Sequence, residues 1–165
     1  MARLTNKFKY PDYKVKLEKI RNKTYAEDGV CIFCKIAEGL EEIIYQDELI
    51  IMFRDLKENA QGHFLVIPRR HIDDVNSLNL DDLELVNRMF EIGLQMLNNM
   101  YQGQRFLFGY HHAPRNSIGH LHMHCIVLPF KKWKSKFSYS SCLWFITPQE
   151  LIKKIMHENP IYSMS

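Results

Sequence analysis

No apolar run in this chain of 165 residues approaches the ~20 residues needed to cross a bilayer, and residues 1–20 hold no apolar secretory core. Neither membrane spanning nor Sec-type export is expected. Glycine (7) and proline (6) are scarce, which excludes collagen-like and low-complexity classes. Cysteine is scarce too, at four residues, so no disulfide scaffold is built. Without a secretory signal a reducing compartment is expected, cytoplasm or nucleus. There Cys31-x-x-Cys34 reads as metal-binding or redox-active. What is present is the balance of an ordinary folded domain, 46% apolar and 25% charged. A domain of ~150 residues buries roughly 70% of its unfolded surface, enough for a full core without staples.

The net charge of +3 is unevenly spread. Residues 1–23 hold eight Lys and Arg against Asp12 and Glu18, a local +6 that leaves the rest at −3. The sequence therefore divides into a basic arm, residues 1–28, and a domain over 29–165 that ends in an extension. Such an arm suits nucleic acid, an acidic partner or an anionic surface. A solvated tail or an added helix is the preferred reading.

Short strands are expected at Ile43 to Tyr45, Leu49 to Phe53, His63 to Ile67, Arg105 to Tyr110 and Leu121 to Leu128, with a loop at residues 59–62. Asp81 to Met100 carries Leu83, Val86, Phe90 and Leu97 on one helical face, with Asp82, Glu84 and Asn87 facing away. Thr147-Pro148-Gln149-Glu150 is a helix start with Thr as N-cap, Pro at N1 and Glu at N3. The pattern predicts an α+β fold: an antiparallel sheet of about five strands, one long helix and a C-terminal helix.

Histidine carries the chemistry. In His120-Leu-His-Met-His124 a strand's period of two sends three imidazoles to one face, and Leu121, Met123 and Cys125 to the other. Three aligned imidazoles have little use in a core. They suit metal ligation, or a nucleophile flanked by groups that bind an anion.

His120-Leu-His-Met-His-Cys-Ile126 resembles the histidine triad (HIT) motif. Cys31-Ile-Phe-Cys-Lys-Ile36, Phe53-Arg-Asp55 and His63-Phe-Leu-Val-Ile-Pro-Arg-Arg-His71 follow the family order. Trp144-Phe-Ile-Thr-Pro in the tail resembles the third Hint branch of that superfamily. The resemblance implies hydrolysis of adenosine 5′-phosphoramidates and of acyl or aminoacyl adenylates, with release of AMP and no organic cofactor. His122 is then the nucleophile that forms a covalent nucleotidyl-histidine, its Nδ1–H bound to a carbonyl near His120. His124 contacts the phosphate or assists the leaving group, His63 orients the site, and Ser117 hydrogen-bonds phosphate or leaving group. Phe33, Ile36, Phe53 and, more weakly, Leu56 match the base-sandwiching positions. Asp55 matches the ribose acceptor, and Asn116 and Ser117 match phosphate-binding positions. Two departures are visible: Arg115-Asn116 stands where many Hint enzymes have Gly-Gln, and Gly109 where an Asn is common. A homodimer through the long helix and a sheet edge is also implied.

Cys31 and Cys34 alone are half of a tetrahedral zinc site. His71 and His120 are the plausible partners, and family members that keep the cysteine pair complete a structural site with these matching histidines. The alternative is a pair of free thiols. Lys131-Lys-Trp-Lys-Ser-Lys136 suits single-stranded nucleic acid, a loop over the site, or a solvated turn, the last preferred. His111 and His112 fall outside the motifs and are assigned no catalytic role. Rival functions are hydrolysis of dinucleoside polyphosphates or of adenylated DNA ends, and a non-catalytic AMP-binding adaptor.

Overall fold

A computed structural model describes residues 31–40, 43–56, 59–111, 118–139 and 144–159. The expected basic arm, Asn116 and Ser117 lie outside the described residues. Six strands, β1 (Ile43–Gln46), β2 (Ile50–Arg54), β3 (Ala60–Pro68), β4 (Phe106–His111), β5 (Met123–Phe130) and β6 (Phe145–Ile146), form one sheet. Their order is β1-β2-β3-β5-β4-β6 and every neighbouring pair is antiparallel. The helices are α1 (Ile32–Lys35), α2 (Leu83–Met100), α3 (Trp133–Ser138) and α4 (Pro148–His157). The α+β class is as expected, with β6 added to the five strands foreseen.

Alternation along the strands sets the layers. Ile50, Met52, Phe64, Val66, Met123, Cys125 and Val127 turn to one face, where Val86, Met89 and Leu97 of α2 and Leu151 and Ile155 of α4 complete the main core. Each such side chain, fully buried, is worth about 1.5–3 kcal/mol. Gly93 lets α2 sit close to β5, since a Cβ there would lie 2.9 Å from Cys125 Sγ. Ile51, Phe53, Leu65 and Ile67 turn to the opposite face, against Cys31, Ile32, Phe33 and Ile36. Further along that face, Ala60 and Ile126 pack with Tyr139 and Phe145. The triad histidines share this second face, away from α2.

Several boundaries differ from the expectation. The triad strand starts at Met123 and not at Leu121, because Leu121 N–H donates to the Ile72 carbonyl (2.6 Å) and not to a ladder neighbour. Its alternation survives: Leu121 still joins Met123 and Cys125 in the main core. Strand β3 starts at Ala60, which shortens the expected loop. Helix α2 starts at Leu83, after a 3₁₀ turn over Leu80–Asp82. Asp82, expected to face away, is buried: its carboxylate accepts from Asn79 N–H (2.9 Å) and pairs with Arg70. The capping box at Thr147 forms as read, with Glu150 N–H donating to Thr147 Oγ1 (3.3 Å) and Thr147 N–H to Glu150 Oε2 (2.9 Å).

Gly109 faces His124 across the β4–β5 ladder. A Cβ there would lie 2.5 Å from the Phe145 ring and 2.7 Å from the Ile146 carbonyl. Glycine is thus what lets β6 close on β4. Gly109→Ala is expected to destabilise the fold by about 1–3 kcal/mol through overpacking. In thermal unfolding this reads as a fall of about 2–4 °C per kcal/mol. An unchanged melting temperature would contradict the close approach.

Candidate active site

The three triad histidines do different jobs because each has a different partner on its second nitrogen. His120 lies in the bend before β5 and is fully buried. Its Nε2–H donates to the Pro68 carbonyl at 2.9 Å, so Nδ1 presents a lone pair. That nitrogen is 3.6 Å from both Cys31 Sγ and Cys34 Sγ. The His120 carbonyl in turn accepts Nδ1–H of His122 at 2.7 Å. This fixes the His122 tautomer with its lone pair on Nε2. Burial holds His122 below the ordinary imidazole value, against the opposing pulls of the His120 hydrogen bond and the Asp55 charge. The ring is therefore neutral near pH 7, the state a nucleophile needs.

His124 is enclosed on several sides. His63 Nε2 lies 2.9 Å from His124 Nδ1 and 3.3 Å from Asp55 Oδ2. The rings of His111 (4.9 Å), Tyr139 (5.4 Å) and Phe145 (6.4 Å) surround it. Burial first, then His122, His63 and His111, hold His124 well below the ordinary value. Its Nε2 is buried without a hydrogen-bond partner among the described residues. Buried polar atoms are rarely left so, and a bound oxygen or nitrogen would satisfy it.

Phe33 bridges the apolar and chemical halves of the site. Its ring meets Phe53 at 5.6 Å and His122 at 5.4 Å, both edge to face. With Ile36, Phe33 and Phe53 belong to one buried cluster, so these three expected base-pocket residues come together. Leu56 is half-buried and lies outside that cluster. Asp55, matched to a ribose acceptor, stands at the end of β2 against His63 and His124, with 17% of its side chain exposed. Asn116 and Ser117 lie outside the described residues.

The second expected constellation also assembles. One ligand atom each from Cys31, Cys34, His71 and His120 falls within 4.8 Å of the other three. Cys34 Sγ is 3.3 Å from His71 Nδ1. Zinc with Zn–S of about 2.3 Å and Zn–N of about 2.05 Å in a tetrahedron separates sulfur from nitrogen by about 3.6 Å. Both sulfur separations from His120 equal that figure, and that of Cys34 from His71 is 0.3 Å shorter. Moreover, His71 Nε2 is held by Asp73 Oδ1 at 3.0 Å, as His120 Nε2 is by Pro68. Both rings thus turn Nδ1 to the sulfurs, the orientation that outer partners impose on metal ligands. Burial, then Cys31, pushes the Cys34 thiol up to about 11, opposite to the lowered value of a redox nucleophile.

Three wall residues have no counterpart among the expected ones. His111, assigned no role, packs on His124 and has its Nδ1 3.1 Å from the Trp144 carbonyl. Period-two counting from Gly109 would have placed it on the triad face, once β4 was known to pair with β5. Tyr139 and Phe145 come from the extension. Nothing in the local sequence says that it folds back over His63 and His124.

A buried, tautomer-fixed histidine set on an antiparallel sheet defines a histidine triad protein. The family profile described as "Scavenger mRNA decapping enzyme C-term binding" matches residues 30–138. The bifunctional adenosine 5′-phosphosulfate phosphorylase/adenylylsulfatase HINT4 of Arabidopsis thaliana is 39% identical over 132 residues, covering 76% of this chain and 90% of the relative. The adenosine 5′-monophosphoramidase HINT3 of Mus musculus is 36% identical over 137 residues, covering 78% and 82%. Among solved structures, a HIT family hydrolase from Legionella pneumophila Philadelphia 1 superposes with a TM-score of 0.58 at 27% identity, covering 62% of this chain and 96% of that one. The chain belongs to the histidine triad superfamily. Within it, the chain is a hydrolase of the Hint branch.

Proposed function

We propose that this enzyme releases AMP from adenosine 5′-phosphoramidates and from acyl or aminoacyl adenylates through a covalent nucleotidyl-His122. The observation that carries the proposal is the 2.7 Å hydrogen bond from His122 Nδ1–H to the His120 carbonyl. It leaves a neutral Nε2 lone pair beside the Phe33–Phe53 pocket. The AMP-type substrate also follows the names of the Hint relatives.

In the first step, Nε2 of His122 bonds to the α-phosphorus while the bond from phosphorus to the leaving nitrogen or oxygen breaks. The leaving group takes a proton. His124 Nε2 supplies it when His63 Nε2–H donates to His124 Nδ1, the arrangement their 2.9 Å separation permits. In the second step, water attacks phosphorus and returns a proton to His124 Nε2 while the P–N bond to His122 breaks, giving AMP and leaving His122 and His124 as they began. Splitting one displacement into two lowers each barrier. Phe33 beside His122, and Tyr139 and Phe145 beside His124, lower the polarity around the reacting groups.

Cys31, Cys34, His71 and His120 would hold zinc, which when bound ties the strand approach of His120 to the α1 turn and serves no Lewis-acid role. The His122–His120 bond would then hang from a fixed residue.

Wild-type protein with an adenosine 5′-phosphoramidate is expected to release AMP and to show a transient AMP adduct by intact mass after rapid neutral quench. AMP binding without turnover would overturn the proposal in favour of the adaptor reading. The pH profile has a definite sign. Burial holds His122 and His124 below the ordinary value, so both stay neutral as pH falls through about 6.5. kcat/KM is expected to be flat through neutrality, with its acid limb below pH ~6.5. A limb above that value would show that the nucleophile is not held neutral by burial.

A further inference from the structure

We infer that the outer face of α3 is a docking surface for single-stranded nucleic acid. Trp133 and Phe137 are 71% and 65% exposed, one helical turn apart, with their rings edge to face at 5.7 Å. Large aromatics left in water are seldom idle when they sit together. These two are not needed to hold the helix. It is anchored by its other side, where Asn59 accepts from Ser135 Oγ (3.4 Å) and donates to Tyr139 Oη (3.2 Å). Tyr139 also stacks on Phe130 at 5.5 Å. The pair is thus presented outward on a fixed support.

Charge selects the occupant. Lys132, Lys134 and Lys136 alternate in sequence with this segment's other residues and are all exposed, and Lys134 Nζ lies 5.8 Å from the Trp133 ring centre. No Asp or Glu occurs between Phe130 and Gln149. Cations interleaved with flat apolar rings match a ligand that alternates phosphates with stackable bases. A duplex would use the lysines and leave the rings idle, because its bases are already stacked. An acidic peptide would do the same. Location separates nucleic acid from an anionic lipid surface: α3 is followed directly by Tyr139, whose ring meets His63 at 5.8 Å and His124 at 5.4 Å. A strand on α3 therefore runs up to the edge of a site made for nucleotide chemistry.

The test uses the full chain and a fluorescent oligo(dT) or oligo(U) of about twelve nucleotides, read by anisotropy at about 50 and about 200 mM salt. The wild type is expected to bind, more weakly at the higher salt. Trp133→Ala with Phe137→Ala should weaken binding at least about tenfold, and Trp133→Phe should restore most of it. Lys132, Lys134 and Lys136 changed together to Ala should flatten the log–log salt dependence by about 2, at ~0.7 per phosphate contact. Phosphoramidate turnover should stay at the wild-type level in every variant, which separates this surface from the catalytic reading. Unchanged oligonucleotide affinity in the double aromatic variant would overturn the inference and assign the binding to other basic residues. Absence of binding at low salt would overturn it too. So would loss of binding to phosphatidylserine vesicles, but not to oligonucleotide, in that variant, which would make the surface a membrane contact.

Discussion

Replacing His122 by alanine is expected to lower kcat for an adenosine 5′-phosphoramidate by at least about 10⁴-fold, the scale on which loss of a covalent nucleophile is felt. AMP affinity should change by no more than a few-fold, because the Phe33–Phe53 pocket is preserved and loses only the edge contact to His122. The intact-mass adduct should vanish. A variant that keeps turnover within tenfold of the wild type would remove His122 from the nucleophile's role. His124→Ala provides the contrast. Its effect should shrink as the leaving group becomes more acidic, since a good leaving group needs no proton, whereas the His122 defect should be blind to leaving-group pKa.

Purified protein is expected to carry one zinc per chain, and chelation should lower its melting temperature by about 8–16 °C. A ligand present at about a thousand times its dissociation constant stabilises by about 4 kcal/mol, and a chain of this size shifts about 2–4 °C per kcal/mol. Cys31→Ser and His71→Ala should each reproduce the loss without chelator, and zinc should then stabilise neither. Activity should fall with the metal. The route is His120, whose ring would bind zinc and whose carbonyl orients His122. A metal-free preparation with the wild-type melting temperature would reduce the Cys31–Cys34–His71–His120 set to packing.

The sequence was most legible where chemistry and periodicity coincide. The alternation of Leu121, Met123 and Cys125 against the three histidines survives even though the ladder begins only at Met123. The capping residues of α4 were equally readable, because a cap is a local contract between a side chain and the backbone three residues away. What could not be read was made by distant parts of the chain. Asp82 is buried because Arg70 and Asn79 reach it, and helical phase alone pointed it outward. His63, Asp55 and His124 meet through β2–β3 and β3–β5 register, which no window of sequence contains. His111 was missed because its face follows only from the pairing of β4 with β5, and Tyr139 and Phe145 because no local signal marks the fold-back of the extension.

The wall around His124 has a consequence for biogenesis. The nucleophile and its tautomer lock lie before residue 123, yet the groups that enclose His124 include Tyr139 and Phe145. Proteins emerge from the ribosome N-terminus first. A nascent chain could therefore hold a correctly oriented His122 while the neighbouring chamber still stands open to water. The chamber is completed by residues made after the triad, so that competence waits for Tyr139 and Phe145 and does not come with the nucleophile itself.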